Sequence, residues 1–594
     1  MKPQRSDVSA LANAARELLA QGDPTGAERV LRPVMNDLRG DPSTLHLMGR
    51  IKQTQQKWDE AEHFYRRAVA ESLTDGSYYN DLGIVLQTRG DFKEALKVFR
   101  AAIALLPTTA PCRVNLVQCL MATGDFAEAE RETRTYIDTI GGPEAWTLLG
   151  LVQRTQGRLD DALASAEEAL KLAPKMRGLK HNRAIALDRL GRSKQALEAF
   201  EDLAREDLEA PELAMNFARA LYQEGRKDEA ENVLERAVGH WPHSILAHEM
   251  LARMRLNRGL KEASTAILEA AIKAYPDDLA LRAACADFLQ QNGLPNHARA
   301  ILETALRQAP GNPAFLMLLA NVFEGQGDVA SAINALREAE RTAGASPELR
   351  RALIGPLLQA NQNRAALGVI RSLRRDAPDD QFILAAEATA MRLSDDPVYK
   401  QLCDPRLVQG YNIAAPKGYF TVENFNAALA ESLRVLLRSA NPLDQVLPGV
   451  IEAPRDLRTV NEPNVQEFIR AMEPAIRAYA GTLQPEDYLN HRRGNHYRIR
   501  RCVATLVKGG ASIPNHAHEN AWISGIYVVE TKDKTGGALK FNEPPWTIGG
   551  CHPESWVEPK AGQLFIFPSY FWHGAEPLTA EGERLSIAFD IVPA

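Results

Sequence analysis

Apolar residues along the first two-thirds of the chain fall three and four positions apart, in blocks broken at a regular interval. The breaks are small or turn-forming residues: Gly22, Gln56, Gly90, Gly124, Gly157, Gly191, Gly225, Gly259, Gly293, Gly327 and Asn361. Each step is 34 residues, except one of 33 between Gly124 and Gly157. Five positions after each break stands Ala, or Ser at 264, and a large apolar residue often follows, as at Tyr65, Phe99 and Phe200. Many blocks close on Pro, among them Pro107, Pro174, Pro242 and Pro378. This pattern predicts pairs of amphipathic helices joined by a tight turn. Gly or Asn suits that turn because positive φ is cheap there, and Pro stops the second helix. One pair cannot bury its own apolar face, so the pairs must stack into a superhelix.

The period and the segments LMGRIKQTQQKWDEAEHFYRRAV and DLGIVLQTRGDFKEALKVFRAAIALLP resemble the tetratricopeptide repeat. The resemblance implies an all-α solenoid of about eleven repeats over residues 1–380, with a protein or peptide partner on its concave face. A solenoid that only spaces or dimerises the rest of the chain is the plainer alternative. After Pro378 the period breaks, and 381–410 reads as a junction. Two more helices are expected around Glu423–Ser439 and Val465–Thr482. From about Arg498 the texture becomes β-rich, with the runs CVATLV, ISGIYVV, ALKF, QLFIF and LSIAFDIV between Gly and Pro turns. Short strands so spaced predict a sandwich or barrel, so residues 411–594 form a second, β-type domain with flanking helices.

Histidines carry the chemistry of this second domain. His516 and His518 stand two apart before ISGIYVV, and His573 follows QLFIFPSYFW. On a strand, residues i and i+2 share a face, so the first two imidazoles can converge, and two close ligands plus one distant one suit an open three-ligand metal site. Spacing by itself equally admits ordinary surface or core histidines.

The runs IPNHAHENAWISGIYVV, GGALKF and PKAGQLFIFPSYFWHGAEPLTAEGERLSIAFDI resemble the 2-oxoglutarate/Fe(II)-dependent oxygenase superfamily, within it the bacterial branch that joins HxH to an FPSxxxH…ERxSxxF ending. The resemblance covers roughly residues 400–594. It implies a double-stranded β-helix (a jelly roll) using Fe(II), 2-oxoglutarate and O₂. It makes His516 and His573 iron ligands, Arg584 the anchor of the 2-oxoglutarate carboxylate, and Ser586 its neighbour. Arg584 and Ser586 are i and i+2 on one strand, and an interior Arg demands an anionic partner, either that ligand or a protein carboxylate. Most of the superfamily has a carboxylate where this chain has His518. Three arrangements remain open: His518 as third ligand, a contribution from Glu519 or Asn520, or a water in that position.

Other candidates are lesser. HRRGNHYRIRR sets Arg498 and Arg500 on one strand face beside His496 and Asn495, which is either a grip for an acidic group or a solvated edge. Trp522, Trp572 and Tyr527 either shape the cavity or fill the core. Gly509–Gly510 and Gly549–Gly550 read as turns, since no phosphate-loop motif follows.

Composition narrows the rest. With 594 residues, 45% hydrophobic and 25% charged, the chain is of ordinary globular type, and a net charge of −6 gives no drive toward nucleic acid or anionic membrane. The N-terminal stretch lacks the apolar core of a signal peptide, no run is long enough to span a membrane, and the six cysteines include no CxxC. Together with the two resemblances, this leads to the expectation of a cytoplasmic oxygenase, hydroxylating a protein or peptide that the repeats recruit. Its rivals are a scaffold with a degenerate barrel and a three-His, cupin-like dioxygenase that needs no 2-oxoglutarate.

Overall fold

The structure is a computed structural model that describes residues 5–34, 41–206, 210–445, 447–492, 494, 496–532 and 536–593. It divides into two units, Met1–Ala186 and Leu187–Ala594. No helix among the described residues is long and apolar enough to cross a membrane.

The first unit consists of paired helices, such as Gly76–Thr88 with Phe92–Leu105 and Pro143–Thr155 with Leu159–Leu172. The turn between partners takes a left-handed residue at every one of the eleven sequence positions, in both units. Gln56 (φ 59°) and Asn361 (φ 57°) adopt it despite their side chains. The small residue five positions on is buried in every repeat. Within a pair the helices nearly touch: a Cβ on Gly83 would lie 2.5 Å from the Phe99 ring. Tyr65, Phe99, Leu116, Leu120 and Tyr136 run through this unit as one apolar seam.

The second unit continues the paired helices, from Pro211–Gln223 with Lys227–His240 to Pro347–Gln359 with Asn363–Asp376, and ends them with Gln381–Arg392. This last helix is apolar on both faces. Ile383, Ala386 and Ala390 join the repeat core, while Leu384, Ala385 and Ala388 join the core of the β domain. Its sequence, QFILAAEATAMR, therefore lacks the polar stripe of a surface helix.

The β domain is two antiparallel sheets in a jelly-roll arrangement. Its strands are β1 (Gln409–Asn412), β2 (Val450–Glu452), β3 (Tyr497–Lys508), β4 (Ile513–His516), β5 (Ile523–Thr531), β6 (Leu539–Phe541), β7 (Ser555–Val557), β8 (Gln563–Pro568), β9 (His573–Ala575) and β10 (Glu583–Pro593). The large sheet runs β1-β8-β5-β10-β3-β2 and the small one β4-β9-β6-β7. The expected helices lie at Val422–Arg438 and Pro463–Thr482. They cover the outer face of the large sheet, where Phe468 meets Tyr527 at 4.9 Å between ring centroids and the Tyr527 hydroxyl donates to Asn426. The inner faces of the two sheets enclose a cavity.

Candidate metal centre and ligand cavity

The small sheet builds one side of the site. His516 ends β4 and His573 begins β9, and the two are directly paired across the strands. His518 lies beyond the strand in a turn, where its N–H donates to the Ser569 carbonyl and its own carbonyl accepts from Ala521. The two histidines of HxH thus converge through a chain reversal rather than through strand alternation, since β4 stops at His516.

Each imidazole is oriented through Nδ1. The Pro514 carbonyl takes that of His516 at 2.8 Å, the Phe571 carbonyl takes that of His573 at 2.9 Å, and the Asp590 carboxylate takes that of His518. Nε2 of each ring is left to face the others, with 3.1 Å between those of His516 and His518. Ligand atoms of all three histidines lie within 4.8 Å of one another. Among the described residues no Asp, Glu or Cys joins this cluster. Glu519 is turned away: it pairs with Arg351 of the helix Pro347–Gln359. Asn520 is exposed.

Burial favours the neutral form of two of the three imidazoles, His516 and His573. Burial, then the two neighbouring imidazoles, holds His573 well below the ordinary histidine range. Burial, then His518, lowers His516. Burial pushes the Asp590 carboxyl up, but hydrogen bonds from His518 and Ser524 outweigh it, and the net shift is downward. Asp590 is thus an anion held against an imidazole, with Ser524 Oγ donating to it at 2.9 Å. A carboxylate behind an imidazole in this way fixes the ring and its tautomer, as it does for histidines that hold metals.

Strand β10 supplies the opposite wall. Leu585, Ile587, Phe589 and Ile591 point into the apolar core. Arg584, Ser586 and Ala588 line a cavity of about 320 Å³, which the three histidines also line. Asp590 continues that alternation, so one strand face carries the basic group at one end and the histidine-orienting carboxylate at the other. Arg584 is buried, with one guanidinium arm donating to the Gly537 carbonyl. The Ser586 hydroxyl is buried and has no hydrogen-bond partner among the described residues. Leu539, Ile526, Val507 and Phe567 make much of the remaining wall apolar.

Asp590 escaped sequence reasoning, although its parity with Arg584 and Ser586 was readable. Of the basic cluster HRRGNHYRIRR, Arg501 lines the cavity and donates to Glu452 at 3.3 Å, while Arg498, Arg500 and His496, exposed like Arg501, are not part of that lining. Asn495 lies outside the described residues. Trp522, Trp572 and Tyr527 are all core residues, with their polar atoms bonded to Leu489, Thr389 and Asn426 respectively.

Residues 501–590 match a family described as "Putative 2OG-Fe(II) oxygenase". Models described as "Tetratricopeptide repeat" match 8–33, 40–108, 86–152, 143–176, 181–245, 215–278 and 260–322. The chain is a tetratricopeptide-repeat protein with a domain of that oxygenase family. No curated protein matches it. Solved structures resemble it more loosely. A tetratricopeptide repeat protein from Parabacteroides merdae is 16% identical over 41% of this chain and 98% of its own, with a TM-score of 0.36. A thermophilic TPR protein from Thermus thermophilus is 23% identical over 30% of this chain and 98% of its own, with a TM-score of 0.25. Yeast Tom70 is 15% identical over 62% of this chain and 98% of its own, with a TM-score of 0.28.

Proposed function

We propose that the β domain is a 2-oxoglutarate- and Fe(II)-dependent dioxygenase that hydroxylates a protein or peptide substrate recruited by the repeats. The observation that carries this reading is one cavity whose wall holds both the converging imidazoles and the Arg584–Ser586 pair. The residues fit both groups. Three converging imidazoles with Nδ1 already engaged offer Nε2 to a divalent metal. A buried guanidinium and an orphaned hydroxyl two residues apart suit a carboxylate.

Fe(II) bound here would supply, with 2-oxoglutarate and O₂, an oxidative decarboxylation to succinate coupled to oxidation of a substrate C–H bond. The chain does the rest. His516, His518 and His573 hold the metal at the meeting of β4, β9 and the HxH turn. Asp590 fixes the His518 tautomer and lends negative charge through that ring, which partly offsets the missing carboxylate ligand. Arg584 and Ser586 grip the far carboxylate of the keto acid, and burial spares that pairing from salt screening. The apolar walls keep water from the reacting centre.

For the recruited substrate, the first unit offers a cleft of about 180 Å³ whose lining includes Trp146, Arg154 and Asn182. All six cysteines are buried and unbridged, which suits a reducing, cytoplasmic compartment.

Incubation with Fe(II), 2-oxoglutarate, O₂ and candidate peptides tests the activity. Succinate is expected to form in step with the oxidised peptide, and its absence with every candidate would refute the assignment. The absence of a carboxylate from the histidine cluster supports a second reading, a three-His dioxygenase independent of 2-oxoglutarate. Arg584→Met separates the two: it abolishes 2-oxoglutarate binding in the first reading and leaves activity intact in the second.

A further inference from the structure

Both chain segments that carry the histidines are fastened to one helix, and that helix belongs to the repeats. At its start, the Gln381 N–H donates to the carbonyl of Glu519, the residue after His518, at 3.0 Å. Near its end, Thr389 Oγ1 accepts the indole N–H of Trp572, the residue before His573, at 2.9 Å. The two anchor points are eight residues apart, two helical turns and about 12 Å of rise. The first is reinforced by Arg351 of the preceding repeat, which pairs with Asp380 at 2.7 Å, pairs with Glu519, and stacks 4.0 Å over the Phe382 ring. Since Gln381–Arg392 is packed into both the repeat core and the β-domain core, its movement displaces both anchors.

We infer that Gln381–Arg392 is a positioning element for the metal site: it sets the spacing between the His518 turn and His573, and so couples the repeats of the second unit to the geometry at the metal. The inference rests on the three histidines being metal ligands, as proposed above. Ligand positions must be held to within about half an ångström for tight binding, and each anchor acts one residue from a ligand. Coupling of this kind is reciprocal, so metal binding must in turn hold the helix.

The test uses the full-length, metal-free chain titrated with Co(II), read by ligand-field absorption and by hydrogen exchange of Gln381–Arg392. Thr389→Val keeps the shape of the side chain and removes the acceptor. Arg351→Gln and Glu519→Gln loosen the other anchor at partly exposed positions, which keeps the test decisive if Thr389→Val folds poorly. Expected are a Co(II) affinity lowered roughly 3- to 30-fold in the variants, a shifted ligand-field spectrum, and weaker Co(II)-induced protection of the helix than in the parent chain. Exposed Arg498→Ala, the control, changes none of these. If the variants lower the unfolding midpoint while Co(II) affinity, spectrum and protection stay at parent values, the helix is only structural and the inference falls. If the parent chain takes up no Co(II), the assignment of the histidines as ligands falls first and this inference with it.

Discussion

The Asp590 carboxylate accepts a hydrogen bond from Nδ1 of His518, seventy-two residues earlier in the chain. His518 is the second histidine of the HxH motif, and the carboxylate stands behind its ring. Asp590→Asn keeps the shape and removes the charge. The metal affinity of the variant should fall about 10- to 100-fold with the fold preserved, as is usual when such an outer partner is lost. Co(II) titration beside circular dichroism reads both quantities.

His516 and His573 both titrate below the ordinary histidine value of 6.5, chiefly because they are buried. The unfolded chain therefore takes up protons at these positions more readily than the folded chain does. The corresponding stability is fully present above about pH 6.5 and is lost as pH falls from there through the lowered folded values. Metal uptake should follow the same window. Proton competition at Nε2 of these two rings should set in only below about pH 6.5, so Co(II) affinity should drop steeply in more acidic buffer. NMR titration of the His516 and His573 ring protons in the metal-free chain checks this, and midpoints at 6.5 or above would contradict it.

Arg584 and Ser586 should contribute unequally. Truncating a buried charged partner costs about 3 kcal/mol, whereas removing a hydroxyl that serves a charged acceptor costs about 1.5 kcal/mol. Ser586→Ala should thus weaken 2-oxoglutarate binding about tenfold and Arg584→Met by more than a hundredfold. Equilibrium dialysis against labelled 2-oxoglutarate distinguishes them. Equal effects would mean that the hydroxyl and the guanidinium do not share a ligand in the expected way.

Gln56 holds a left-handed turn that most other repeats give to glycine. Gln56→Gly should stabilise the first unit by about 1 kcal/mol through relief of that strain. Hydrogen exchange across Pro42–Thr54 and Trp58–Glu71 should slow accordingly, with no change at the metal site.

Much of this was readable in advance, for particular physical reasons. The repeats announce themselves because each turn needs a residue tolerant of positive φ at a fixed interval, and all eleven such positions are left-handed in the structure. His516, His518 and His573 are marked in the sequence by their spacing, and Arg584 and Ser586 by the resemblance of the ERxSxxF ending; all five line one cavity. Asp590 lies within the run LSIAFDIV, where no spacing to another ligand type marks it, although it shares a strand face with Arg584 and Ser586. The strands β1, β2, β4, β7 and β9 are three or four residues long, too short to show a period. The helix Gln381–Arg392 sits within a stretch that reads as a junction, because burial on both faces removes the amphipathic signal by which a helix is recognised.

Whether one cavity binds a metal and 2-oxoglutarate together is decided by anaerobic calorimetry of the full-length chain with 2-oxoglutarate. Expected are one equivalent bound to the Fe(II)-loaded chain, strongly weakened binding without the metal, and none detectable in Arg584→Met. Binding that ignores both the metal and Arg584, or no binding at all to the Fe(II)-loaded chain, would contradict it.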